Sequence, residues 1–266
     1  MITNFLSYLF LGTIAGIMSG MFGIGGGIVI VPALILFYHF PPAMANGTSL
    51  AALLLPVGIL AVIKYYRENL VQVKTALIIA AGIVGGVLIG SLSAVQIPSD
   101  LLKKIYGLFL LIISNNFLEF SKILKKKQTP NFSPANENDS PTYPKNPVAT
   151  ALIVGILAGI FAGFFGIGGG IVIVPLLTTL FRFPYKLAIG TSLLALLFPV
   201  GLPGVAVYYN AGLLDLRAAI FIGFGLFLGA FNGALLTLKL PTKTVRRLYG
   251  IFLIIVGIDF IANNNF

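Results

Sequence analysis

Three stretches of this chain, residues 43–63, 75–97 and 218–238, run for 21, 23 and 21 residues without a charged side chain. Each is long enough to cross a hydrocarbon core of roughly 30 Å as an α-helix. None alternates polar and apolar residues in blocks of about ten, as the strands of a membrane barrel would. Backbone in lipid must satisfy its own hydrogen bonds, so these runs predict membrane-spanning helices. Composition agrees. Hydrophobic residues make up 58% of the chain and charged residues 9%, too little charge to cover a soluble domain of this length.

The string FGIGGGIVIVP occupies residues 22–32 and recurs letter for letter at 165–175. The offset of 143 positions continues on both sides without a gap. Gly12, Gly16 and Gly20 map to Gly155, Gly159 and Gly163; Gly47-Thr48-Ser49 maps to Gly190-Thr191-Ser192; Gly82, Gly86 and Gly90 map to Gly225, Gly229 and Gly233. The chain is two copies of one unit, residues 1–118 and 148–266. They are joined by a polar linker, 119–147, with five prolines and four asparagines. Each copy holds five apolar segments. In the first they lie near 5–21, 27–40, 43–64, 74–97 and 101–118. The fifth is the weakest, because lysines crowd its start. Pro56, Pro199 and Pro203 are expected to kink the third segment of each copy.

An odd number of crossings per copy inverts the second copy relative to the first; an even number leaves them parallel. Lys and Arg decide between the two, because they collect in cytoplasmic loops. With the linker cytoplasmic, the odd count puts 14 of the 17 inside and leaves only Lys103, Lys104 and Arg217 outside. The even count splits them 9 against 8. The predicted fold is therefore an all-α integral membrane protein. It has two inverted-topology repeats of five membrane segments each, both termini outside, and Gly-broken helices meeting near mid-membrane. The segments flanking each glycine string either span or turn back as re-entrant hairpins; the uncharged loop between them fits both. The net charge of +10 belongs to this loop pattern. It does not imply nucleic acid, since no basic face with interleaved aromatics is present. The first ten residues, MITNFLSYLF, lack a basic n-region and read as a membrane segment rather than a cleaved signal.

Four glycines in five positions suit a plain helix poorly, at roughly 1 kcal/mol each relative to alanine. Broken backbone at membrane depth survives only where protein covers it or water lines it. There it offers bare N–H groups and a helix N-terminus, which favour an anion. Matching breaks in two inverted halves point to a transport site. The expected substrate ligands are the backbone amides of Gly25, Gly26, Gly27, Gly168, Gly169 and Gly170. Asn46, Thr48, Ser49, Thr191 and Ser192 would add side-chain hydrogen bonds, although N-capping is an equally good role for them. The glycines spaced by four read instead as close-packing helix faces.

Other chemistry finds no support. There is no cysteine, so no thiol or iron–sulfur chemistry. No carboxylate sits in the middle of an uncharged span, so no proton relay is visible. No metal-ligand cluster, Walker motif or nucleophile–base pair appears. An enzyme is not expected, and neither is a cofactor.

The duplicated glycine string (Gly23 to Pro32, Gly166 to Pro175), the GTS that follows it (47–49, 190–192) and the polar central loop together resemble the TauE/SafE sulfite-exporter family. The resemblance covers nearly the whole chain except the loop. It implies a transporter of the bacterial or archaeal cytoplasmic membrane. It also implies export or exchange of small sulfur-containing anions such as sulfite, sulfoacetate, thiosulfate or related organosulfonates. Alternating access around a central site is the expected mechanism, with a coupling ion left open. An anion or small-solute channel, or a carrier of another small organic anion, is the alternative.

Overall fold

The computed structural model describes residues 2–22, 25–56, 58–118, 143–236 and 242–262. Most of the polar linker and Gly23 of the first string lie outside these residues. The described chain is helical, with no strand: α1 (Ile2–Phe22), α2 (Gly27–Tyr38), α3 (Pro42–Ala52), α4 (Ile59–Arg67), α5 (Val73–Val95), α6 (Ser99–Leu118), α7 (Pro147–Phe165), α8 (Gly170–Leu180), α9 (Tyr185–Leu197), α10 (Leu202–Asn210), α11 (Leu216–Leu236) and α12 (Thr242–Ala262).

Length and composition alone suit α5 (mean hydropathy 2.2) and α7 (2.4) to crossing a membrane. The pair α9–α10 also qualifies when taken together, bent by 49° at its break. The third apolar segment of each copy is thus broken rather than merely kinked. Pro56 and Pro199 fall in the breaks, where a missing N–H and a restricted preceding residue stop a helix. Pro203 does not kink anything. It sits in the first turn of α10, a position where its missing N–H costs nothing.

The helices form two compact units, α1–α5 with α7–α11, and α6 with α12. The units therefore cut across the two sequence copies. In the larger unit, α1 packs along α11 and α5 along α7. Both seams are made of glycine. A Cβ added to Gly12, Gly16, Gly225, Gly229 or Gly233 would overlap backbone of the facing helix, and so would one added to Gly82, Gly86, Gly90, Gly155, Gly159 or Gly163. Small residues spaced by four let two backbones touch, which is how helices associate where water supplies no driving force. The register runs upward on both sides: Gly12 meets Ile222, Gly16 meets Leu226 and Gly229, and Gly82, Gly86 and Gly90 meet Leu152, Ile156 and Ile160 in turn. Both seams are parallel. Within the smaller unit the register reverses. Gly107 meets Phe260 and Ile261, while Leu111 meets Gly257, so α6 and α12 run antiparallel. The Tyr106 ring lies tilted against that of Phe260 there, with centroids 5.9 Å apart.

Candidate functional site

The glycine strings separate α1 from α2 and α7 from α8. Gly25 (φ 83°), Gly26 (66°), Gly166 (67°), Gly168 (80°) and Gly169 (75°) are left-handed. That conformation is free to glycine and costs other residues about 1–2 kcal/mol. The two breaks repeat the same bonds. Gly27 N–H donates to the Gly25 carbonyl (2.7 Å) and Gly170 N–H to that of Gly168 (3.0 Å). Ile30 and Ile173 donate back to Gly26 and Gly169 at 3.2 and 3.1 Å.

The breaks also meet one another. A Cβ on Gly27 would overlap the Gly166 carbonyl, and one on Gly25 would lie 3.2 Å from the Ile167 carbonyl oxygen. A Cβ on Gly26 would meet the Leu226 side chain first and then the Ala15 carbonyl, and one on Gly169 would meet the Ala158 carbonyl. The amides of Gly25, Gly26, Gly168 and Gly169 are buried and find no hydrogen-bond partner among the described residues. Each unpaired buried amide costs about 1–3 kcal/mol. They cluster at the positive N-terminal ends of α2 and α8.

Gly25 and Gly168 open onto a cavity of about 60 Å³, several times the ~10–15 Å³ that one water needs. Its walls are nearly two-fold in sequence: Leu50 and Leu193, Leu53 and Leu196, Leu54 and Leu197, Gly58 and Gly201 are all lining pairs 143 positions apart. Among the described residues the one polar side chain on the wall is Ser19, whose partner in the pairing is Ala162. Sequence reasoning passed over Ser19. The signal available was a hydroxyl whose repeat counterpart is an alanine.

Four of the five polar side chains expected at the cavity are engaged elsewhere. Asn46 donates from Nδ2 to the Phe164 carbonyl (2.8 Å), and Ser49 donates from Oγ to that of Gly166 (2.7 Å). Tyr208 donates its hydroxyl to Gly163 (2.8 Å). These three cap carbonyls that the end of α7 leaves without intrahelical partners. Thr48 Oγ1 accepts from the Asp215 amide and Thr191 Oγ1 from the Gln72 amide, each at 3.0 Å. The two bonds are repeat images of each other. Each ties a GTS turn to the residue just ahead of a long helix in the opposite copy. Gly47 and Gly190 pack against the same connections, at Leu213 and Leu70. Asn46 Oδ1 and Ser192 Oγ are buried and have no partner among the described residues. Of the eleven expected residues, Gly25 and Gly168 line the cavity; Gly26, Gly27, Gly169 and Gly170 shape the breaks behind it.

The family model for the sulfite exporter TauE/SafE matches residues 8–260. The chain belongs to the TauE/SafE family. The probable membrane transporter protein YunE of Bacillus subtilis is 29% identical over 279 residues, covering 99% of each chain. A probable membrane transporter protein of Haemophilus influenzae is 29% identical and covers 97% of this chain and 98% of its own. An archaeal relative, probable membrane transporter protein MJ0441 of Methanocaldococcus jannaschii, is 24% identical over 94% of this chain and 92% of its own. No solved structure matches. As a TauE/SafE protein the chain is a multi-pass membrane transporter.

Proposed function

We propose that this TauE/SafE protein carries small sulfur-containing anions such as sulfite, thiosulfate, sulfoacetate or related organosulfonates. It does so across the cytoplasmic membrane of a bacterium or archaeon by alternating access. The observation that carries the reading is the pair of glycine breaks. They present four amides without a partner among the described residues at two helix N-termini, and Gly25 and Gly168 face one cavity. Such a site holds an anion by hydrogen bonds and helix ends without a fixed cation.

The inverted relation of the copies draws support from helix direction. α6 and α12 are the same segment of the two copies, and they run antiparallel. A two-fold axis lying in the membrane plane produces that; one along the normal would make them parallel. The parallel seams of α1 with α11 and α5 with α7 follow from the same inversion. The lysine-rich linker then faces the cytoplasm and both termini face outward. The inner loops, rich in Lys and Arg, would concentrate anions at that mouth. With no buried carboxylate expected along the pathway, we favour facilitated exchange over proton coupling.

The test is uptake of radiolabelled sulfite, thiosulfate and sulfoacetate into proteoliposomes, with and without unlabelled anion inside. Saturable uptake accelerated by internal anion is expected. Absence of flux for all three under every gradient would sink the sulfur-anion assignment, and linear, unsaturable flux would replace the carrier by a channel.

A further inference from the structure

The cavity wall departs from two-fold sequence symmetry at one polar position. Ser19, near the end of α1, is only 5% exposed. It lines the cavity beside Gly25 and Gly168, and its hydroxyl makes no hydrogen bond to a described residue. Ser192 Oγ in α9 is likewise without a partner among the described residues, but several other helical hydroxyls have one. Thr13, Ser91, Ser93 and Ser114 all donate to a carbonyl three or four residues back in their own helices, the ordinary outlet for a helical hydroxyl. Ser19 does not use it. Across the cavity its repeat counterpart, Ala162, is 1% exposed and offers a methyl group.

We propose that Ser19 is a specificity-determining residue that donates a hydrogen bond to the transported oxyanion and fixes its orientation. This rests on the anion-transport reading above. A site built from two equivalent glycine breaks holds a small anion equally well in two orientations. A single hydroxyl on one wall removes that degeneracy. The remaining described side chains of the wall are apolar, so among the described residues an anion oxygen turned away from both amides has Ser19 to meet. A hydrogen bond to an ionised acceptor is the stronger kind, and an oxygen facing leucine instead loses its hydration without replacement. The cargo class that fits is a small oxyanion with at least one acceptor oxygen beyond those held by the Gly25 and Gly168 amides.

The test compares wild-type protein, Ser19→Ala, Ala162→Ser and the double variant Ser19→Ala/Ala162→Ser. Each is purified, checked for monodispersity and reconstituted. The probes are radiolabelled thiosulfate and sulfite. Loss of a hydrogen bond to a charged group predicts at least about a tenfold rise in KM for Ser19→Ala, with the maximal rate changing far less. The double variant, with its hydroxyl moved to the mirror position, is expected to recover most of the affinity. A purely structural serine would not be rescued from the opposite helix. Unchanged KM in Ser19→Ala alongside robust wild-type flux overturns this proposal and leaves the transport reading standing. Failure of the double variant to improve on Ser19→Ala overturns it as well. Absence of wild-type flux for both probes overturns the anion reading and this proposal together.

Discussion

Alanine at Gly86 and alanine at its neighbour Gly85 should move stability in opposite directions. A Cβ on Gly86 would overlap the Ile156 carbonyl oxygen and sit 2.9 Å from both Gly159 Cα and Ile160 N. All three are backbone atoms of α7, so no rotamer change relieves the clash and the helices must part. Overpacking costs about 1–3 kcal/mol, and three rigid contacts put this site in the upper half of that range. Alanine's better helix propensity returns about 1 kcal/mol. The net expectation is a loss of about 1–2 kcal/mol. A Cβ on Gly85 meets nothing within 4 Å, so only the propensity gain of up to about 1 kcal/mol remains. The repeat itself supports this: the position 143 further on is Leu228, a large side chain that is 54% exposed. Gly229, the image of Gly86, has its Cβ direction blocked by Thr13 of α1, and Gly229→Ala should behave like Gly86→Ala. The assay is SDS-induced unfolding of the purified protein in mixed micelles, read as the shift of the midpoint. A lower midpoint for both Gly85→Ala and Gly86→Ala, or a raised one for Gly86→Ala, would refute the seam described above.

Thr48→Val and Thr191→Val should each lower stability by about 1–3 kcal/mol, because each leaves a backbone amide (of Asp215 or Gln72) without its acceptor. The KM for thiosulfate should stay put in both, so a changed KM at unchanged stability would move these hydroxyls from the clasp to the cargo. Because the native chain has no cysteine, single cysteines report topology cleanly. A cysteine at Arg217 should react with an impermeant maleimide in intact cells, and cysteines at Arg67, Lys145 or Arg182 only after permeabilisation; labelling of Arg67→Cys and Arg182→Cys from opposite sides would contradict the inverted repeat.

Features that depend on local spacing were readable before any coordinates. Glycines at 82, 86 and 90 share one face of a helix by periodicity alone, and they meet Leu152, Ile156 and Ile160 across the seam. The strings announced a break because four glycines in five positions serve no helix. What the sequence concealed is the partner of each polar group. Thr48 bonds a residue 167 positions away and Thr191 one 119 away, and nothing in Gly-Thr-Ser says whether its hydroxyl meets a cargo or a distant amide. Asn46 and Ser49 are similar, spent on carbonyls 118 and 117 positions off. The fifth segment is the weakest in the sequence because Lys103 and Lys104 interrupt its apolar run. α6 runs through both, 20 residues from Ser99 to Leu118. Lys103 is 6% exposed, with its ammonium 5.6 Å from the centre of the Phe260 ring, a favourable placement for a cation.

The central claim is that both glycine breaks serve a single anion site, and the most direct measurement is trans-stimulated thiosulfate flux through Gly25→Ala and Gly168→Ala, each made alone. Both positions have φ near +80°, so alanine distorts the break it enters while leaving the other chemically intact. A shared site predicts that either substitution, in a protein that remains monodisperse, removes nearly all of the stimulated flux. About half of the wild-type flux surviving in each variant would mean two independent pathways, and would contradict the account.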